Sequence, residues 1–151
     1  MANQPLPRSK KQIFSCGRYV ATGTNMNNII AFRANASHSI GLGHIRRVSL
    51  LSQVLRARGF NTLLLCNPDT LDVVPSCAEA FDTVHVTESE ANCIAWLKTS
   101  IGEQLSGMVF DCYSLDAQQH RQYKAVAKVL AGIDDTANRK LGFSLVFNVN
   151  L

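Results

Sequence analysis

The 151-residue sequence has no C-x-x-C pair, no apolar run of membrane-spanning length and no Gly-Lys-Ser/Thr phosphate-binding string. Its five cysteines, Cys16, Cys66, Cys77, Cys93 and Cys112, stand at no metal-ligand spacing, which argues against a zinc site or a disulfide framework. Their number is odd, and Cys66 and Cys112 fall in apolar, strand-like runs, so buried free thiols in a reducing compartment are expected. Nothing approaches the roughly 20 apolar residues of a membrane helix, and the basic N-terminal residues lack the apolar stretch of a secretory signal. No membrane segment is therefore read, and a cytoplasmic location is expected. Charge is sparse at 17%, with a formal net charge of +4. Lys and Arg are scattered rather than gathered in a stripe, which argues against a nucleic-acid partner. What is abundant is hydrophobic sequence, 46% of the chain, enough for one core at this length.

Residues 1–28 differ from the rest. They are polar, carry Pro5, Pro7 and the basic cluster Arg8, Lys10 and Lys11, and show no sustained periodicity, so they read as a flexible N-terminal extension. From residue 29 to 151 the pattern is regular. A short β-type run at Ile29–Arg33 leads through a loop rich in Asn, Ser, His and Gly into an amphipathic helix, His44 to Arg58, with Ile45, Val48, Leu51 and Leu55 at helical spacing. Phe60–Cys66 is nearly all apolar, the pattern of a strand covered on both faces. A short helix is expected within Leu71–Ala80, a strand at Phe81–Val86, and a helix over Ser89–Leu105 with Ala91, Ile94, Ala95, Leu97 and Ile101 in the core. Further strands are expected at Met108–Cys112, within Val129–Asp134 and at Phe143–Val149, with a helix over Asp116–Leu130. This alternation predicts an α/β fold, a Rossmann-like parallel sheet with helices on both faces.

In such sheets ligands sit beyond the carboxyl ends of the strands, where the polar residues of this chain collect. The loop Gly41-Leu42-Gly43-His44 is the most informative. Two glycines permit a sharp turn and close approach to a ligand, and they lead into a helix N-terminus whose N–H groups favour negative charge. His44 stands at that opening turn and can exchange a proton near neutral pH. The dinucleotide fingerprint fails, because Arg46 occupies its third glycine position and the second strand ends in Cys66 and Asn67. Taken alone, His44 also reads as a loop or capping histidine, Asp116 as a helix cap, Asp134-Asp135 as a turn with Asn138, and Tyr113 as packing. His38, His85 and His120 read as structural or exposed, and Trp96 and Leu97 as core.

The order of these elements is more specific than any one of them. The string Ile30-Ala31-Phe32-Arg33-Ala34-Asn35-Ala36-Ser37, followed by Ile40-Gly41-Leu42-Gly43-His44, Arg47 and Leu50, resembles the opening of the UDP-2,4-diacetamido-2,4,6-trideoxy-β-L-altropyranose hydrolases of pseudaminic acid biosynthesis, relatives of the MurG-like glycosyltransferases. Asp111-Cys112-Tyr113-Ser114-Leu115-Asp116 is similar to that family's D-x-Y-x-L-D segment, Ile133 to Arg139 to its I-D-D-x-A-N-R segment, and Asn148-Val149-Asn150 to its N-x-N ending. The resemblance implies the N-terminal domain of a two-domain glycosyltransferase-B fold that hydrolyses a UDP-sugar to UDP and free sugar, without metal or cofactor. It makes His44 the general base that activates water. Arg33, Asn35, Gly41, Gly43, Arg47, Asp111, Tyr113 and Asp116 would serve the sugar-binding site, and Asn148 and Asn150 the domain junction. Asn35 departs from the acidic residue usual there, which removes a charge. The resemblance implies a UDP-gripping C-terminal domain that these 151 residues do not supply, so weak or missing activity is expected, as in a fragment, a truncated gene or half of a split enzyme completed by a separate C-terminal domain chain. A glycosyltransferase half and a non-catalytic binding module are the alternatives.

Overall fold

The structure, a computed structural model, describes residues 13–14, 28–102, 105–135 and 142–148. Among the described residues seven parallel strands form one sheet: β1 (Ile13–Phe14), β2 (Ile29–Ala34), β3 (Asn61–Cys66), β4 (Thr83–Val86), β5 (Leu105–Asp111), β6 (Leu130–Ile133) and β7 (Leu145–Phe147). Their spatial order is β1-β4-β3-β2-β5-β6-β7. From β4 onward this is the doubly wound order of a Rossmann-like fold, and the winding reverses between β2 and β5.

Every second residue of a strand faces the same side, and here both sides are covered. Ala31, Leu63, Leu65, Met108 and Phe110 pack beneath Cys93, Ile94, Leu97 and Ile101 of helix α3 (Glu90–Ser100) and its C-cap, and Tyr123 at the end of α4 (Ala117–Tyr123). Phe32, Leu64, Cys66 and Val109 pack against Ile45 and Val48 of α1 (Gly43–Ala57), and against Cys77 and Ala80 in a 3-10 turn at Pro75–Ala80 that follows α2 (Pro68–Val73). The apolar run at residues 63–66 of β3 follows from that double cover. In α1 the expected stripe holds, with Ile45 and Val48 fully buried and Leu51 and Leu55 partly so.

Several boundaries differ from the sequence reading. Within the stretch read as an extension, Ile13–Phe14 forms the edge strand β1 against Val84 and His85; residues 1–12 and 15–27 lie outside the described residues. Ala91 and Ala95 are exposed rather than core, because α3 presents Cys93, Ile94 and Leu97 to the sheet instead. The expected helix over Asp116–Leu130 ends at Tyr123. Val126 turns into the core and Ala127 bridges to Leu105, so sheet pairing overrides helix propensity before β6 begins. No helix among the described residues is long and apolar enough to cross a membrane.

Candidate functional site

The carboxyl ends of β2 and β5 flank the point where the winding reverses, and the helix that follows β2 opens there. Gly41 adopts φ +84°, a left-handed conformation that glycine accepts without strain, and its N–H bonds the Ser37 carbonyl at 2.9 Å. Ser37 Oγ also accepts from Ile40 N–H at 3.0 Å, so the loop closes tightly before α1. Gly43 is the first residue of α1 and has open space where a Cβ would sit. Leu42 at the N-cap supplies no side-chain acceptor, and the first turn holds no acidic residue.

One turn into this helix, His44 and Arg47 both meet Asp111 at the end of β5. The Asp111 carboxylate is 1% exposed. His44 Nδ1 lies 2.5 Å from its Oδ1, while Arg47 donates from Nη2 to Oδ1 and from Nε to Oδ2, each at 2.8 Å. A carboxylate can only accept, so the proton between His44 and Asp111 belongs to Nδ1. Arg47 Nη2, 3.1 Å from Nδ1, then approaches as a second donor to the same oxygen rather than as a partner of the ring. That tautomer leaves Nε2 as the basic nitrogen, and no described residue hydrogen-bonds it. Burial alone would raise the Asp111 carboxyl, but the hydrogen bonds from His44 and Arg47 outweigh it and hold the group below the usual carboxylate range. The same bond to Asp111, with help from Asp135, keeps the Arg47 guanidinium charged.

Tyr113 closes one side of the imidazole, its ring edge-on to His44 with centroids 4.8 Å apart, and it is half exposed. Its hydroxyl donates to Asp135 Oδ2 at 3.3 Å, and Arg47 Nη1 donates to the same oxygen at 2.7 Å. The outcome is one connected group: His44, Asp111, Arg47, Asp135 and Tyr113.

Other sequence-predicted residues fall elsewhere. Arg33 is 3% exposed and bonds Glu90 Oε1 through Nε and Nη2, and Asn35 Oδ1 and the Leu65 carbonyl through Nη1. Asn35 Oδ1 also accepts from Asn67 N–H, so both residues are engaged in joining β2 to β3 and α3. Asp116 caps α4 in a reciprocal box with Gln119, the structural role that its position before a helical run suggests. Asn148 follows β7, two strands from β5, and Asn150 lies outside the described residues. His85 and His120 are buried and His38 is exposed.

Two partners escaped the sequence reading. Asp135 looked like a turn residue, although its place at a strand's carboxyl end was a signal. Glu90 looked like an ordinary acid at a helix start, and nothing in the sequence ties it to Arg33, 57 residues earlier. Comparisons with protein-family models, curated proteins and solved structures returned no match.

Proposed function

We propose that this chain is the base-bearing, sugar-binding half of a nucleotide-sugar hydrolase of the glycosyltransferase-B type, acting on a UDP-linked diacetamido-trideoxy sugar. The observation that carries the reading is the His44–Asp111 pair, with Nδ1 committed to a buried carboxylate and Nε2 left basic at the point where the sheet's winding reverses. The substrate class comes from the resemblance of the motifs; the sugar's position rests on it as well.

In this reading Nε2 takes a proton from water as the water oxygen attacks the anomeric carbon. The bond from that carbon to the diphosphate oxygen breaks, and UDP leaves with the electron pair. Asp111 holds the ring in the required tautomer and stabilises the imidazolium that forms, as the orienting acid does in other histidine-based sites. A positioned general base contributes roughly 10²–10⁴-fold. The uncapped first turn of α1 offers N–H groups to the leaving anion. A cytoplasmic setting is part of the proposal and agrees with the free, buried thiols of Cys66, Cys77, Cys93 and Cys112.

The test is UDP release from the UDP-sugar in water, with and without a separately expressed C-terminal domain, comparing the parent with His44→Ala. Release in the paired sample that falls about 100-fold or more in the variant is expected. Release that is indifferent to His44 would sink the reading. Release that needs an added acceptor would make the protein a transferase, and none under any condition would leave a binding module.

A further inference from the structure

We infer that Asp135 is a positioning residue that balances the charge around His44, so that the imidazole can take up a proton without a net positive charge building beside Arg47. The inference rests on the reading of His44 as the base. Around the ring stand Arg47 from α1, Asp111 from the end of β5, Tyr113 from the loop after it, and Asp135 from the end of β6, reached through Arg47 and Tyr113. Asp134, buried on the same turn as Asp135, is common to parent and variants and does not enter the difference between them.

Arg47 and a protonated His44 draw on the same acceptor, Asp111 Oδ1, and Arg47 Nη2 lies only 3.1 Å from the ring nitrogen whose charge would develop. Two cations at that distance on one carboxylate repel each other. Asp135 Oδ2, 2.7 Å from Arg47 Nη1, supplies the second carboxylate. One guanidinium then faces two carboxylates. Counting these groups, the site carries one net negative charge while the imidazole is neutral and none once it is protonated. Tyr113 donates to the same Asp135 oxygen.

The test is NMR titration of the His44 imidazole in the full chain, with the resonance assigned by its loss in His44→Ala. In Asp135→Asn the titration midpoint is expected to move to lower pH by about half a unit or more, and Asp135→Glu is expected to recover most of that shift. Tyr113→Phe, which keeps every charge, is expected to stay within about 0.2 unit of the parent. A midpoint in Asp135→Asn that matches the parent would overturn the inference. Should Asp135→Asn fail to fold, the unsubstituted protein still decides: the ¹³Cγ resonance of Asp135 must show a step at the His44 midpoint, and a flat trace overturns the inference. These readouts need no substrate, so a shifted midpoint without UDP release would count against the hydrolase reading alone.

Discussion

His85 and Trp96 stack with ring centroids 3.8 Å apart and planes 10° from parallel, and neither His85 Nδ1 nor Trp96 Nε1 has a hydrogen-bond partner among the described residues. Burial disfavours the imidazolium and pushes the His85 pKa down from 6.5 to about 4. The unfolded chain therefore binds more protons than the folded one between those values, so stability is complete above about pH 6.5 and declines toward pH 4. His85→Phe keeps an aromatic stack without the titration, and urea unfolding at pH 7 and 4.5 should show a smaller loss for this variant than for the parent. Equal losses would count against the assignment. At the Arg33–Glu90 pair, Glu90→Gln leaves a guanidinium that is 3% exposed without its counter-charge, and a cost of about 3–5 kcal/mol is expected. Thermal unfolding would show it, and a Tm within a degree or two of the parent would mean that the pair contributes little. The sequence made His44 and Asp111 visible through their positions at a helix start and a strand end, and Arg47 only through the resemblance of the motifs. It could not show that Arg33 faces Glu90, because the pairing depends on which side of β2 the side chain leaves and on where α3 lies.

At β6 the strand runs close under Phe143, and a Cβ added at Gly132 would lie 2.5 Å from that ring. Backbone and aromatic ring occupy space that no other residue leaves free. Gly132→Ala must displace Phe143, which also packs on Phe110 and His120, and should cost about 1–3 kcal/mol. Chemical denaturation checks the magnitude, and a neutral result would mean that the ring relocates without loss. Elements with a full period of apolar residues, such as β3 and α1, were readable because burial on two faces or one stripe leaves a direct imprint. The end of α4 was not, since the residues from Lys124 to Val129 suit a helix and contacts distant in sequence, the bridge from Ala127 to Leu105 and the hydrogen bonds of Lys128 and Val129 to β5, draw them out of one. The face of α3 was misread for a similar reason: alanine is small enough to sit on either side, and Cys93 took the inward place.

Across the whole molecule, alternation of strands and helices announced a parallel α/β sheet, but the order of the strands left no mark in the sequence. That order decides which loops meet. Among the described residues it also puts β7 beyond β6 at one margin of the sheet, where Leu145, Val146 and Phe147 are 53%, 58% and 48% exposed. An apolar strand on a sheet margin invites pairing with another chain. Light scattering of the chain alone is expected to rise with concentration, and Val146→Lys should reduce that rise. Identical curves for parent and variant would place the association elsewhere.

The five-residue group around His44 has a further consequence. Its imidazole and guanidinium come from α1, on the β2 side of the sheet's midline, while both carboxylates and the tyrosine come from the carboxyl ends of β5 and β6 and the turns after them on the other. The chemistry is thus a clasp across a seam. Neither flank of the sheet holds the group by itself, and opening the seam would separate opposite charges into water in one event. Loss of this site on gentle denaturation would accordingly mark the parting of the two flanks, before either has unravelled.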